Sequence, residues 1–560
     1  MAQETQENII DTTAETVPVK YNAIETGVIL SKSIIWDLQR KYFTEKGIEA
    51  WANNVPFYIS SNVYIAAFYA ETMGRYIQEC KRKGMIDPAE PVYILEMGAG
   101  HGKFGFHFVT ALADIIKGLE LTDLKITYVL TDFCQPNVDH WRKTKQFQPF
   151  LDKGLVDFGI FDCDDPNVEI RLQHSNRLLR PGSVKNPIGV IANYYFDTIR
   201  YDYYKIENGQ LHEGLTNLLV AEGLESPTQD INKISNLQIT HDYRPIDKTN
   251  YAFGEINTII EEYKSVLKTS KFLIPVGGFT AINNLQKIAN GRLLILSGDK
   301  GGSTLDDLEG QGDPYFNFHG SFSMSVNFHA LGRYCELRGG SWDRKDYNHT
   351  FSINCFTMGL KLEDMPETRY AYHTWIQHFG PDDLYNFKQP ITAHVTELTF
   401  DMMMAYLKAV RWDTNVFLGL KEQIINSIEQ LNRRQKEALI VALDRLDKNF
   451  YYTPASTDSL VEIGRVYHMM GDYAKAKTYY YRSLSYYGKN WALYHNLGLV
   501  YYFSNNPQKS SQYFKKALAL NPEAKDSTDW LNFLKNQKTD QPAPVTEDVN
   551  QKVEEPEIPV

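Results

Sequence analysis

Residues 93–105 read Tyr93-Ile-Leu-Glu-Met-Gly-Ala-Gly-His-Gly-Lys-Phe-Gly105: a short β-rich run, then closely spaced glycines, then a helical pattern. Glycine at a strand-to-helix turn permits positive φ and lets the backbone approach a ligand closely. This stretch therefore predicts a cofactor site at the carboxyl end of a strand.

Strand-like and helix-like runs alternate on both sides of the glycines. The strand-like runs are VYILEM (92–97), ITYVLTD (126–132), LVDFGIFD (155–162), IGVIANYYFD (188–197), GRLLILS (291–297) and FSINCFTMGL (351–360). Strands separated by helices indicate βαβ units. We predict an α/β fold with a Rossmann-like, mostly parallel sheet covered by helices on both faces.

The glycines alone do not identify the cofactor, because Gly100, Gly102 and Gly105 also fit the GxGxxG spacing of dinucleotide sites. Glu96 favours S-adenosylmethionine, since a carboxylate two residues before Gly98 can hold a cationic cofactor, directly or through water. It would repel a pyrophosphate. We expect cofactor contacts from Glu96, Gly98, Gly100 and Gly102.

Acidic residues also end the second and third strands. Asp132 can accept hydrogen bonds from both ribose hydroxyls, although an NAD ribose would use the same acid. Asp162 can accept from the adenine amino group, with Phe161 beside the ring. The alternative for each is a solvated acid in a loop.

The fourth strand ends in Asn193, Tyr194 and Tyr195, which we expect near the transferred methyl group, because ligands bind at the carboxyl ends of parallel strands. We predict core packing for Phe196. The candidate catalytic residues are Asn193, Tyr194 and Asp197.

The C-terminal region contains amphipathic helices and an internal repeat. Equivalent residues recur 34 positions apart: Gly464 and Gly498, Tyr467 and Tyr501, Tyr480 and Phe514. This period and residue set predict tetratricopeptide repeats, with the segment around Trp530 as a cap and a protein as their partner.

Composition excludes several classes of protein. The net charge of −11 and the lack of a basic stripe argue against nucleic-acid binding. Five scattered cysteines without a CxxC pair indicate a reducing compartment. Without a signal sequence or a long apolar run, we predict a cytoplasmic protein without membrane contact. No histidine spacing indicates a metal site.

Four strings in order carry a specific resemblance. They are EMGAGHGK (96–103), ANYYFDTI (192–199) followed by the strand pair YKIENGQLHE (204–213), LLILSGDKGG (293–302) and HGSFSMSVNFHAL (319–331). Over residues 55–360 the chain resembles the MidA family of S-adenosylmethionine-dependent methyltransferases, which includes a mitochondrial complex I assembly factor that methylates a protein arginine. The resemblance implies a class I methyltransferase sheet.

The chain departs from the family at the fourth strand. The family pattern there is ANEFFDALP, and Tyr194 stands in place of its Glu and Arg200 in place of its Pro. The family's DYG is partly retained as Gly298-Asp299-Lys300-Gly301. Because a carboxylate orients a guanidinium, the loss of the Glu puts arginine methylation in doubt.

These observations predict a methyltransferase that acts on a protein positioned by the repeats. Methylation of a small molecule and a non-catalytic adaptor are the alternatives. The predicted domains are a disordered tail (1–20), an N-terminal helical segment (21–91), the methyltransferase domain (92–362), a helical connector (363–452), the repeats with their cap (455–538) and a disordered acidic tail (539–560).

Overall fold

The computed structural model describes residues 20–53, 58–344, 351–453 and 456–536. The predicted tail at residues 539–560 lies outside the described residues, and so does all of the predicted tail at 1–20 except Lys20.

The strands of the two large sheets are β1 (Tyr21–Val28), β2 (Val92–Glu96), β3 (Ile126–Asp132), β4 (Val156–Ile160), β5 (Ile188–Ile191), β6 (Asp202–Glu207), β7 (Gln210–Ala221), β8 (Leu237–Ile246), β9 (Thr269–Ile274), β10 (Leu293–Asp299), β11 (Ser341–Arg344) and β12 (Ser352–Met358). The helices up to the last strand are α1 (Ile35–Lys46), α2 (Ala50–Asn53), α3 (Tyr58–Ser61), α4 (Val63–Arg82), α5 (Lys103–Gly118), α6 (Gln135–Lys143), α7 (Gln148–Leu151), α8 (Gly254–Val266), α9 (Val276–Ile288), α10 (Leu305–Leu308) and α11 (Phe328–Leu337). The helices after it are α12 (Pro366–Tyr372), α13 (Pro381–Ala393), α14 (Phe400–Ala409), α15 (Thr414–Ser427), α16 (Arg433–Lys448), α17 (Ser459–Met469), α18 (Tyr473–Tyr487), α19 (Trp491–Phe503), α20 (Pro507–Leu520) and α21 (Lys525–Lys535).

The central sheet has seven strands in the order β4-β3-β2-β5-β10-β12-β11. The first five are parallel, and β12 runs antiparallel to both of its neighbours. The order therefore reverses between β2 and β5, which is the switch point where doubly wound sheets bind ligands. This is the predicted Rossmann-like class I methyltransferase sheet.

Both faces of the central sheet are covered, which explains why its parallel strands are continuous apolar runs. Ile94 and Tyr128 belong to one core with α4, α5 and the helices α14–α19. Leu95 and Val129 point the other way, into a second core with α8, α9 and α11. The predicted connector and the repeats thus share a continuous core with the sheet.

A second, antiparallel sheet contains β1, β7, β6 and β9 in that order, with β8 also paired to β7. The predicted strand pair at 204–213 is the hairpin of β6 and β7, whose turn residues Asn208 and Gly209 have φ of 53° and 76°. Positive φ at both positions is typical of the tight turns that join twisted strands.

The prediction of a helical segment over 21–91 is wrong at its start, because residues Tyr21–Val28 form β1. This strand pairs with residues 216–221 of β7 and is largely exposed. Its hydrogen-bond partners are remote in sequence and it buries little, so no apolar period marks it locally.

The repeats consist of the helix pairs α17–α18 and α19–α20, followed by α21. A Cβ atom on Gly464 would lie 2.6 Å from the ring of Tyr480, and one on Gly498 would lie 2.6 Å from Phe514. Each glycine therefore lets the paired helices approach. Trp530 of α21 stacks on Phe514 with ring centroids 5.9 Å apart, which closes the end of the array.

Candidate functional site

A cavity of about 580 Å³ opens at the carboxyl ends of β2, β3 and β5, within the usual size range of small-molecule sites. Its walls include the glycine turn after β2, the loops after β3, β4 and β5, and the N-terminal helices. The predicted site residues Glu96, Gly98, Gly100, Asp132, Asp162, Asn193, Tyr194 and Asp197 all line it. Gly102 lies below the surface, at the start of α5.

The glycine turn requires glycine at three positions. Gly98, Gly100 and Gly102 have φ of 61°, 53° and 78°. A Cβ on Gly100 would lie 2.7 Å from the indole of Trp51, and a Cβ on Gly102 would lie 2.9 Å from that of Trp141. The turn thus needs both the left-handed backbone and the missing side chain.

Most amide groups of this turn are already used within the protein. Met97, Ala99 and Gly102 donate to the carbonyl oxygens of Ile191, Thr131 and Ala99. The N–H of Gly100 donates to Asp132 Oδ2 at 3.1 Å. Dinucleotide sites instead offer such amides to a pyrophosphate, so this turn is poorly suited to that group.

Glu96 lies below the turn and is 5% exposed. Its Oε2 atom accepts a hydrogen bond of 2.7 Å from the phenol of Tyr128. A Cβ on Gly105 would lie only 2.6 Å from the same oxygen, so that glycine makes room for the carboxyl group. Burial raises the pKa of Glu96 to about 8. A cationic ligand would favour its ionised form.

Asp132 braces the glycine turn from the end of β3. Besides the Gly100 N–H, its carboxylate accepts hydrogen bonds from Cys134 N at 3.0 Å and Asn137 Nδ2 at 2.9 Å. Burial raises its pKa, although these donors oppose the shift. Asp132 lies at the end of the strand, as predicted, but its carboxylate also stabilises the conformation of the glycine turn.

Asp162 lies at the cavity mouth, where it forms a bidentate ion pair with Arg40. The guanidinium of Arg40 also lies over the ring of Phe133, 4.5 Å from its centroid. The predicted adenine contact of Asp162 would therefore be made beside a cation that the sequence analysis did not identify.

The end of β5 is held in an unusual conformation. Tyr194 has a φ of 47°, which is rare for a bulky residue and occurs at tight turns and at active sites. Its N–H donates to the carbonyl of Gly298 at 3.0 Å. The neighbouring Asn193 accepts from Tyr69 Oη at 2.8 Å and Gly298 N at 3.1 Å through Oδ1.

Asp197 and Asp299 form a buried carboxyl pair beside this turn. The backbone N–H of Asp197 donates to Asp299 Oδ2 at 3.2 Å, and burial raises the pKa of both carboxyl groups, that of Asp299 the more because the charge of Asp197 adds to the effect. These shifts favour the protonated form of the pair, most strongly at Asp299. Asp197 Oδ1 is buried and has no hydrogen-bond partner in the described part of the chain.

His101, within the glycine turn, is buried and accepts from Lys103 N through Nδ1 at 3.2 Å. Burial lowers its pKa to about 3. The imidazole is therefore neutral at physiological pH and cannot offer a positive charge to a cofactor carboxylate.

Two parts of the site have no local signal in the sequence. One is the cover formed by Trp36, Arg40, Phe43 and Trp51, which the N-terminal helices bring to the cavity. The other is Tyr451, whose phenol donates a hydrogen bond of 2.8 Å to the carbonyl of His101. Both are remote from the glycine turn in sequence.

The described ranges contain neither a cluster of metal-ligating side chains nor a helix that could cross a membrane. No three His, Cys, Asp or Glu side chains cluster there as a metal site would require. No helix in those ranges combines the length and apolar character needed to cross a membrane. All five cysteines are buried as free thiols.

The tetratricopeptide repeat family matches residues 455–523, which confirms the predicted repeats. Two solved structures from Burkholderia thailandensis are similar to the chain: an uncharacterised protein, and a protein of the same superfamily bound to S-adenosyl-homocysteine. Each is 11% identical with a TM-score of 0.33; they cover 59% and 58% of this chain and 95% and 93% of their own. A comparison with curated proteins gives no match.

Proposed function

We propose that the chain is an S-adenosylmethionine-dependent methyltransferase that acts on a protein held by its repeats. The observation that carries the proposal is the carboxylate-lined cavity at the switch point of the sheet, where Glu96 and Asp132 flank a turn whose amides are mostly used internally. Such a site suits a cationic nucleoside better than a pyrophosphate.

The residues present fit this cofactor. Asp132 and Asp162 offer acceptors for the ribose and the adenine at the ends of β3 and β4. Glu96 and the turn at Gly98 would face the methionine part. When bound, S-adenosylmethionine supplies an electrophilic methyl group on sulfur, so the protein has mainly to align the nucleophile and exclude water.

The acceptor side of the site is the end of β5. Asn193 and the backbone of Tyr194 are fixed against Gly298, so this wall is preorganised. Asp197 lines the cavity, and its carboxylate can accept a hydrogen bond or a proton from an incoming nitrogen or oxygen nucleophile. Asp299 supports Asp197 by accepting a hydrogen bond from its backbone N–H at 3.2 Å.

The first test is calorimetric titration of the full chain with S-adenosylmethionine and S-adenosyl-homocysteine. Wild type should bind both, and Asp132→Ala should bind with about 1–3 kcal/mol less free energy, because it leaves polar groups unpaired. Asp152→Ala, at an exposed site shortly before β4, is the control and should bind like wild type. If the folded wild-type chain binds neither ligand, the proposal that it is an S-adenosylmethionine-dependent methyltransferase is wrong.

The second test identifies the acceptor class. Lysate proteins and metabolites are incubated with isotopically labelled S-adenosylmethionine and either wild type or Asp197→Asn, and methylated products are found by mass spectrometry. Protein products that depend on Asp197 support the proposal. Metabolite products alone would indicate a small-molecule methyltransferase, and normal cofactor binding without any product would indicate an adaptor.

A further inference from the structure

The repeats carry a surface patch of tyrosine rings joined by their hydroxyl groups, in which Tyr481 is 41% exposed and Tyr501 is 9% exposed. Tyr481 Oη lies 2.8 Å from Tyr501 Oη and 2.7 Å from Tyr513 Oη. The rings of Tyr501 and Tyr513 stack with centroids 5.3 Å apart. Helices α18, α19 and α20 each contribute one ring, so the surface spans both repeats.

Three lysines lie over these rings. Lys477 and Lys509 each place Nζ 5.3 Å from the centroid of Tyr501, and Lys516 places its Nζ 4.4 Å from that of Tyr513. Together, Lys477, Lys509, Lys516, Tyr481, Tyr501 and Tyr513 form what we call the lysine–tyrosine face.

Within the described part of the chain, the cations of this face have no acidic partner. Lys475 and Arg482, on the same helix, lie near Asp444 and Asp447 of α16. In contrast, no ion pair joins Lys477, Lys509 or Lys516 to another residue in the described ranges. Residues 456–536 contain ten Lys and Arg against six Asp and Glu, although the whole chain has a net charge of −11.

We propose that the acidic segment 539–560 of the same chain docks on the lysine–tyrosine face. This segment contains six Asp and Glu and one Lys, so its charge is complementary to that of the face. Carboxylates pair with ammonium groups, and the tyrosine hydroxyls add hydrogen-bond donors. The inference does not depend on methyl transfer.

The attachment point of the segment favours docking within one molecule. Phe533, near the end of α21, packs on Tyr502 with ring centroids 5.8 Å apart, and Tyr502 adjoins Tyr501 in α19. A chain of 22 residues can extend roughly 70 Å at about 3.3 Å per residue, so the segment is long enough to extend from α21 to the lysine–tyrosine face. Tethering also raises the local concentration of the segment to about the millimolar range, so modest contacts suffice.

Docking of the segment would control access to the repeats. A partner that presents an acidic stretch would have to displace residues 539–560 before it could bind the lysine–tyrosine face. The segment would then act as an internal competitor that rejects weak or weakly charged partners.

The test uses the full chain and a synthetic peptide of residues 539–560. In wild type, the tethered segment should compete with the peptide. In a variant with Glu547, Glu554, Glu555 and Glu557 changed to Gln, the peptide should bind at least about ten-fold more tightly. Adding Lys477→Gln, Lys509→Gln and Lys516→Gln should remove this gain, whereas adding Lys489→Gln, at an exposed site in the same repeats, should retain it.

Carbodiimide cross-linking of the monomeric wild-type chain gives an independent readout. Links from Glu554, Glu555 or Glu557 should concentrate on Lys477, Lys509 and Lys516, and should weaken as salt screens the charges. Equal peptide affinity for wild type and the glutamate variant would overturn the proposal. So would links that favour Lys489 and Lys525, or links that form only between two chains.

Discussion

Arg40 and Asp162 form a bidentate ion pair at the cavity mouth, with Arg40 Nη1 3.1 Å from Asp162 Oδ1. The pair joins α1 to the loop after β4, so Asp162 has two candidate roles. It can accept a hydrogen bond from the adenine of a cofactor, or it can serve only to fix the position of Arg40 over the cavity.

Two substitutions separate these roles. Asp162→Ala removes the acceptor, and we expect it to weaken S-adenosyl-homocysteine binding by about 1–3 kcal/mol. Arg40→Met removes the pair but leaves the acceptor, so affinity should stay near that of wild type. Calorimetry of both variants decides the question, since equal losses would mean that Asp162 acts only through Arg40.

Gly100→Ala should abolish measurable binding of S-adenosyl-homocysteine. The substitution puts a Cβ at a φ of 53° and 2.7 Å from the ring of Trp51. Gly118→Ala is the control, because nothing lies within 4 Å of its Cβ and its φ is not positive. Calorimetry and thermal melting are compared, and retained binding by a folded Gly100→Ala would disprove the assigned role of the turn.

Tyr194 carries no charge at neutral pH, because burial raises its pKa further above the ordinary tyrosine value. It cannot balance a guanidinium as the family Glu would. We therefore expect wild type to methylate arginine-containing proteins poorly, while Tyr194→Glu leaves cofactor binding unchanged. Methyl transfer to an arginine-rich protein panel measures this, and rapid arginine methylation by wild type would contradict it.

We expect Glu96 to make the free energy of unfolding of the protein decrease as the pH rises. Its folded pKa of about 8 exceeds the unfolded value of roughly 4.3, so the folded chain retains a proton that the unfolded chain has lost. The stabilisation that Glu96 contributes is fully present below its pKa in the unfolded chain. It is lost as the pH rises through its pKa in the folded chain. Denaturation of Glu96→Gln from pH 5 to 8.5 should show a smaller decline, by at most about 1.4 kcal/mol per pH unit. Parallel curves would show that Glu96 is not buried as a neutral acid.

Tyr451→Phe should weaken cofactor binding by about 0.5–1.5 kcal/mol, because it removes the hydrogen bond to the turn at His101. Tyr452→Phe is the matched control, since that ring packs on Tyr486 and Tyr487 instead. Titration of both variants with S-adenosyl-homocysteine tests the contact. Equal affinities would show that Tyr451 only fills space.

The sequence predicted those site residues whose positions are determined by the neighbouring sequence. Glu96, the three glycines and Asp132 follow from where strands end, because parallel strands bring their carboxyl ends to one edge of the sheet. The 34-residue period likewise predicted the repeats, in which Gly464 and Gly498 occupy equivalent positions.

Long-range contacts account for the parts that were not predicted. Strand β1 was missed because β7 supplies its hydrogen bonds. Arg40 and Trp51 lie on helices whose patterns show only that one face is buried, not which cavity they cover. The buried pair of Asp197 and Asp299 joins two motifs that are separate in the chain.

The contact between Tyr451 and His101 also affects when the site can form during synthesis. The two residues are 350 positions apart, so the glycine turn lacks one of its supports until nearly the whole sheet and the helices after it have left the ribosome. At about 5–20 residues per second, translation delays this contact by roughly 20–70 s after the turn itself emerges. A nascent chain therefore completes the support of its glycine turn only after α16 has been synthesised.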